Sequence, residues 1–273
     1  MERALGLMCG AGTLPAHVAS EARRQGWRVV AFVFGEVPAL PPVVDRLIPS
    51  RLTEIGAVLD GLKREQVSAA VFVGKMGKRE FLDSAESTDA SGREILRVTG
   101  GLLADRALTE AVVGTLAGLG IEVLDQRLFL GSLLVPPGLL TPKAPSEAEW
   151  QDIRLGLRLA KQCAGLGVGQ TVVVKQGVVV AVEGIEGTNE TISRGCRLAG
   201  PGAVVIKAVA SQQDYRFDVP AVGARTLEAL ATGKAGALAV EGGKVMVLDR
   251  EMVLDVAARH GIAVVSLGAD AGA

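Results

Sequence analysis

The stretch Ala4–Phe34, ALGLMCGAGTLPAHVASEARRQGWRVVAFVF, decides the fold. Ala4–Cys9 is a short apolar run bounded by glycine, the length of a buried strand. Gly10-Ala11-Gly12 interrupts it, and an amphipathic run carries on to Gln25. Thr13 is placed to cap that helix. Pro15 suits its first turn, where a missing N–H costs nothing. Gly26 supplies the stop, and Arg28–Phe34 is apolar again. Strand, glycine loop, helix and strand form the unit that builds a parallel sheet through a right-handed crossover.

The same alternation continues outward. Leu52–Arg64 sets Leu52, Ile55, Leu59 and Leu62 on one helical face, and Ser68–Val73 is a third strand. Gly101–Leu119 reads as a helix and Ile121–Leu124 as a strand ending at Asp125. Alternating strand and helix predicts a Rossmann-like parallel sheet. The glycine loop departs from a dinucleotide fingerprint, because Pro15 stands where GxGxxG needs its third glycine. Glu36 is not clearly at the end of the second strand. A nicotinamide cofactor is therefore not the expected ligand. The loop can still face a phosphate or sugar, since amides at a helix start point outward. Lys75, Lys78 and Arg79, after the third strand, could meet phosphates too, or could be an ordinary solvated run.

The organisation changes at Val135–Glu149, which holds four of the 11 prolines and no periodicity. The expected division is an N-terminal Rossmann-like domain over 1–134, a linker over 135–145 and a mixed-sheet catalytic domain over 146–273. Ser146 can cap a helix through Trp150, Ile153 and Leu157 to Gly165. Thr171–Val174 and Val178–Val182 flank Gln176-Gly177 and predict a β-hairpin. Val204–Lys207 is another strand, and Thr226–Thr232 a short helix. Ala237–Val240 and Lys244–Leu248, around Glu241-Gly242-Gly243, predict a second hairpin. Asp249 is placed to cap a helix over Glu251–Arg259, and Ile262–Ser266 is a last strand.

Composition narrows the function. The chain has 273 residues, 49% hydrophobic, with a net charge of −1 and 3% aromatics. That excludes a general nucleic-acid binder, which needs a basic face or stacking rings. Cys9, Cys163 and Cys196 form no CxxC pair, which fits a reducing compartment and no structural zinc. His17 and His260 fall in helical patterns, so neither is an expected base for Cys9. No apolar run nears the ~20 residues that span a bilayer, and no leader peptide is visible. A cytoplasmic protein is expected, with peripheral contact to the inner membrane left open.

Polar residues gather where the second half's strands end. Glu183, Glu186, Gly187, Thr188, Asn189 and Arg194 follow the hairpin. Gln212, Gln213, Asp214, Tyr215, Arg216 and Asp218 follow Val204–Lys207. Polar strand-end loops are the usual site layout in α/β proteins. Glu183 and Glu186 could ligate a divalent ion, serve as a base, or only satisfy loop amides.

The strings GQTVVV…AVEGIEGT and K…QDYRFDVPAVG resemble the LpxI-type UDP-2,3-diacylglucosamine pyrophosphatases. So do the GxGxLP loop over Gly10–Pro15 and the GK loop at Gly74-Lys75. The resemblance spans nearly the whole chain. It implies hydrolysis of UDP-2,3-diacylglucosamine to UMP and 2,3-diacylglucosamine 1-phosphate, in the cytoplasmic part of lipid A synthesis. The family usually has EGTD where this chain has Glu186-Gly187-Thr188-Asn189, and K-x-x-K-P where it has Lys207 to Ser211. It often has paired acids where Ala104-Asp105 stands.

Pyrophosphate hydrolysis needs cations around phosphoryl oxygens and a positioned water. Asp218, Asp214 and Arg216 are the expected catalytic residues. If the segment is extended, Arg216 and Asp218 share a face. Asp218 is also the expected ligand of a Mg2+ ion, since hard oxygen donors suit it. Substrate contacts are expected from Gly10, Gly12, Thr13, Leu14 and Lys75 in the first half. In the second half they are expected from Gln170, Glu186, Gly187, Thr188, Asn189, Arg194, Lys207 and Gln213. The expected partner is the lipid-linked UDP-sugar, with no nucleic acid and no transmembrane segment; a homodimer stays open. The alternative reading is a non-catalytic nucleotide-sugar binding protein, suggested by Asn189 and Ala210-Ser211.

Overall fold

The structure is a computed structural model and describes residues 3–75, 87–99 and 105–272. Lys78, Arg79 and Ala104 lie outside the described residues, as does the side chain of Asp105. The chain forms two units, the first of residues 1–130 with 214–218 and the second of 131–213 with 219–273.

The first unit opens with β1 (Ala4–Cys9), α1 (Leu14–Arg24) and β2 (Arg28–Val33). It continues through β3 (Arg46–Pro49), α2 (Ile55–Arg64), β4 (Ala69–Val73), α3 (Ala90–Val98), α4 (Asp105–Gly118) and β5 (Glu122–Val123). Its five strands run in the order β3-β2-β1-β4-β5, each adjacent pair parallel. Every residue of β1 is buried, as a central strand covered on both faces requires. Met8, Val30, Phe32, Leu62 and Ala70 form part of one core cluster. Thr13 departs from its expected role: its backbone is already helical and its side chain caps nothing. Pro15, which has no N–H to satisfy, sits in the first turn instead.

The second unit carries a six-stranded mixed sheet. Its elements are β6 (Gly138–Leu139), α5 (Glu147–Gly165), β7 (Thr171–Lys175), β8 (Val178–Val182), α6 (Thr188–Ala199) and β9 (Val204–Lys207). Then come β10 (Ala221–Val222), α7 (Ala224–Thr232), β11 (Ala237–Glu241), β12 (Met246–Val247), α8 (Arg250–Arg259) and β13 (Ala263–Leu267). The sheet order is β6-β13-β11-β9-β7-β8, and β10 with β12 makes a separate two-stranded sheet. Strand alternation sorts the side chains into two cores. Val172, Val174, Val204 and Ile206 meet Ile153, Leu157 and Ala160 of α5. Val173, Val205, Leu238 and Val240 meet residues of α6, α7 and α8, among them Ile192, Leu227 and Val253.

The hairpin at Gln176-Gly177 forms, with φ of 50° and 77° at the two turn residues. Such a double left-handed turn matches the twist of the flanking strands. Asp152 of α5 holds it, accepting the Gln176 N–H at 2.8 Å and the Gly177 N–H at 2.7 Å. Ser146 caps α5 with Glu149 in a reciprocal capping box.

Two expectations fail here. The second hairpin is absent: β11 pairs in parallel with β9 and β13, while β12 pairs with β10. The Gly242 N–H donates to Leu267 and the Gly243 N–H to Val135, so the chain leaves the sheet instead of folding back on β11. Asp249 does not cap α8 through its side chain, because its own backbone is left-handed there, at φ 50°. Residues 135–145, expected as a linker, fall within the second unit, which begins after Leu130, and Gly138–Leu139 pairs antiparallel with Ser266 and Val265. The prolines mark an edge strand, whose open side needs no donor.

Candidate functional site

In the first unit the polar groups stand at the carboxyl ends of β1, β2 and β4. Order 3-2-1-4-5 reverses direction between β1 and β4, the place where open parallel sheets leave a ligand crevice. A cavity of about 290 Å³ lies there, lined by Gly10, Ala11, Phe34, Gly35, Glu36, Leu52 and Lys75. Gly10 lets two loops approach, since a Cβ on it would lie 2.7 Å from the Lys75 carbonyl oxygen. Backbone bonds between Ala11 and Lys75, at 2.9 and 2.8 Å, close the same contact. Gly10 and Lys75 thus line one cavity. Gly12 supports its wall, donating to the Glu36 carbonyl at 2.9 Å. Thr13 and Leu14 belong to the start of α1 and are not part of the lining.

Asp214–Asp218 also belongs to the first unit. The condition of an extended segment is not met, because the chain turns: the Phe217 and Asp218 N–H groups both point to the Asp214 carbonyl at 3.4 Å. Arg216 therefore does not share a face with Asp218. It grips Asp214 instead, with Nε 2.9 Å from Oδ1 and Nη2 2.7 Å from Oδ2. That hydrogen-bonded pairing, helped by the Arg216 N–H, holds the Asp214 carboxyl below the usual carboxylate range. Two rings anchor the turn. Phe217 stacks on Phe72 at 4.7 Å, and Arg127 lies over the Tyr215 ring at 3.8 Å. The Gln126 N–H donates to the Tyr215 carbonyl at 3.1 Å. Asp125, just after β5, is paired with Arg127 at 2.6 Å. Asp218 ends this stiff turn with an exposed side chain.

In the second unit the residues gather where β8, β9 and β11 end and β7 begins. Parallel and antiparallel register brings those ends to one edge of the sheet, with Thr171 opposite Lys207 and Val172 opposite Val182. Lys207 is only 5% exposed. Its Nζ donates to the Thr188 hydroxyl at 2.6 Å, and that hydroxyl donates to Glu183 Oε1 at 2.9 Å. Glu183 Oε2 accepts the Gln170 N–H at 3.2 Å. Gln170, Thr188 and Lys207 are therefore brought together, and Glu183 with them.

Glu186, Gly187 and Arg194 form a neighbouring group. Arg194 bonds Glu186 Oε1 at 2.6 Å and the Val182 carbonyl at 3.1 Å. The Arg194 guanidinium, with the loop amides, keeps the Glu186 carboxyl below its ordinary range. Glu186 also accepts the Gly184 N–H at 3.1 Å, so both loop glutamates satisfy backbone amides. Asn189 accepts the Thr226 hydroxyl at 3.2 Å. Gln213 closes a turn on the Ala210 carbonyl at 3.2 Å.

The sequence reading missed Glu241. It is 4% exposed and closes β11. Lys244 at 2.6 Å, Lys161 at 3.0 Å and the Val209 N–H at 3.1 Å surround its carboxylate. Burial pushes this carboxyl up, but the three donors outweigh it and the net shift is downward. A lone glutamate closing the apolar run ALAV was the available signal. Among the described residues, no three His, Cys, Asp or Glu side chains stand together as a metal cluster.

Comparison with known proteins gives both halves one origin. Residues 4–133 match the LpxI N-terminal domain, and residues 136–265 match the LpxI C-terminal domain. The chain is 30% identical over 283 aligned residues to the UDP-2,3-diacylglucosamine pyrophosphatase LpxI of Caulobacter vibrioides, covering 98% of each chain. A solved glycinamide-RNase-transformylase T from Mycobacterium tuberculosis is 17% identical, with a TM-score of 0.25, over 66% of this chain and 44% of that one. A likeness that low bears on neither fold nor chemistry. The two domain matches and the end-to-end relative agree, and the chain belongs to the LpxI family.

Proposed function

We propose that this protein hydrolyses the pyrophosphate of UDP-2,3-diacylglucosamine, releasing UMP and 2,3-diacylglucosamine 1-phosphate, in lipid A biosynthesis. The observation that carries this reading is the alignment to a named pyrophosphatase over 98% of both chains, covering every strand-end loop described above. The chemistry available is consistent with it. Lys75 borders a cavity and Lys207 stands at a strand end, so each unit offers a cation for phosphoryl oxygens.

The reaction adds water across an anhydride. The water oxygen bonds to one phosphorus, the bridging P–O bond breaks, and its electron pair stays with the departing phosphate. One water proton goes to a base. Asp218 is the residue assigned to that step. Its backbone N–H closes a turn braced by the Asp214–Arg216 pair and the Phe217 stack, and a carboxylate on a braced turn can orient a water. Asp214 and Arg216 then act together by holding the turn. Mg2+ fits this donor set as it fits most phosphate sites, on one carboxylate and the substrate's own oxygens. Asp218 would hold it, and the ion would neutralise charge on the phosphoryl oxygens. Gln170, Thr188 and Lys207 bind substrate at the sheet edge, while Glu186, Gly187, Asn189, Arg194 and Gln213 shape the surrounding loops.

No helix among the described residues is long and apolar enough to cross a membrane. In this reading the protein works in the cytoplasm and meets its lipid substrate at the inner membrane's surface. Incubation with UDP-2,3-diacylglucosamine and Mg2+, followed by mass analysis, should yield UMP and the monosaccharide phosphate in equal amounts. Binding of the substrate without any UMP release would favour the non-catalytic alternative.

A further inference from the structure

We propose that Glu183 is a positioning residue, which orients the Thr188 hydroxyl and through it the Lys207 ammonium. The role rests on the hydrolase reading above. A threonine hydroxyl has one proton to give and two lone pairs with which to accept. Here Glu183 takes the proton at 2.9 Å, so the Thr188 oxygen must present a lone pair to Lys207 at 2.6 Å. Thr171 Oγ1 approaches the same oxygen at 3.5 Å. The direction of this relay is fixed at its far end, because a carboxylate can only accept.

Glu183 is itself held. Its Oε2 takes the Gln170 N–H at 3.2 Å, and its N–H donates to the Thr171 carbonyl at 2.9 Å. Gly169 makes this closeness possible, since a Cβ there would collide with the Glu183 carbonyl. Lys207 is almost wholly buried, and a long, flexible side chain in that setting takes its direction from its hydrogen-bond partners. Without Glu183 the Thr188 hydroxyl could turn its proton elsewhere and the ammonium would lose an aligned acceptor. An error of about 1 Å in such a group costs on the order of 100-fold in rate.

The test is a double-mutant cycle with two readouts. Glu183→Ala should lower kcat/KM roughly 10- to 100-fold, mostly in kcat, and Glu183→Gln should recover most of it, because its amide oxygen still accepts from Thr188. In a Thr188→Val background, Glu183→Ala should add less than about a two-fold loss, since partners acting through one another are not additive. Additive losses, or a Glu183→Ala enzyme as active as wild type, would overturn the assignment. The second readout needs no turnover. In a proton–nitrogen spectrum the Lys207 ammonium should be protected in wild type and Glu183→Gln, and broadened in Glu183→Ala. Identical spectra in all three would also overturn it. A wild type that releases no UMP sinks the hydrolase reading alone and leaves the spectral test standing.

Discussion

Replacing Glu241 with glutamine should destabilise the second unit while leaving its shape nearly unchanged. The carboxylate is 4% exposed and takes hydrogen bonds from Lys244, Lys161 and the Val209 N–H. Removing one partner of a buried ion pair costs about 3–5 kcal/mol when the other charge is stranded. Here the lysine side chains are 43% and 35% exposed, so they regain water. Glutamine also keeps one acceptor. A loss of about 2 kcal/mol follows, near the value of one hydrogen bond to a charged group. For a domain of this size that is a melting shift of roughly 4–8 °C. The carboxyl is held below its ordinary value, so its contribution is present above about pH 4.3 and is lost as pH falls through the folded value. The gap between wild type and variant should therefore close in acid. Val209 follows β9 closely, and its amide should exchange faster in the variant. Urea unfolding at pH 7 and hydrogen exchange at Val209 are the assays. A cost below about 0.5 kcal/mol with unchanged Val209 exchange would refute the reasoning, because three hydrogen bonds to one buried carboxylate cannot be worth so little.

Four further outcomes are expected. Asp218→Ala should cut turnover by a factor of about 100 or more, the scale of a lost general base, while substrate binding persists in equilibrium dialysis. Chelation by EDTA should abolish UMP release, and added Mg2+ should restore it; full activity in EDTA would remove the ion from the mechanism. Phe217→Ala should lower the first unit's stability by about 2 kcal/mol, from lost half-buried area and the stack on Phe72, measured by urea unfolding. Maleimide at pH 8 should label Cys163 and spare Cys9, whose thiol burial pushes up to about 12, and mass spectrometry of peptides would show an adduct on Cys9 if that is wrong.

Most of the architecture was legible because it rests on local properties. The run Ala4–Cys9 is apolar on both faces because both faces are covered, and periodicity reports that directly. The Gln176-Gly177 turn was legible because two left-handed residues are a property of the turn itself. Pairing is not local. Ala237–Glu241 and Met246–Val247 look like hairpin arms around Gly242-Gly243, yet each pairs with a strand far away in sequence. Nothing in a two-glycine turn excludes that outcome. Edge strand β3 is short and mostly exposed, so it lacked the apolar signal altogether.

The site divides the same way. That Lys207 ends a buried strand follows from the run VVIK, and a cation at a strand end is a reasonable ligand group. Which partner it takes depends on Thr188 and Glu183, both brought to it by the register of β7 against β8 and β9. The turn at Asp214–Asp218 is the sharper case. Pro220 biases the residue before it towards an extended conformation. Its influence stops at Val219, however, whereas Asp214 reaches forward two residues to the Arg216 N–H at 3.1 Å and closes the turn itself. An aspartate that can bond its own backbone two residues on favours a turn over a strand. Phe217 then meets Phe72 and Tyr215 meets Arg127, contacts that no local pattern announces. An acid, an arginine two residues on and alternating aromatics, D-Y-R-F-D, therefore read better as a braced turn than as a strand. In a turn of that kind the first aspartate is committed to the arginine, and the second stands at the surface.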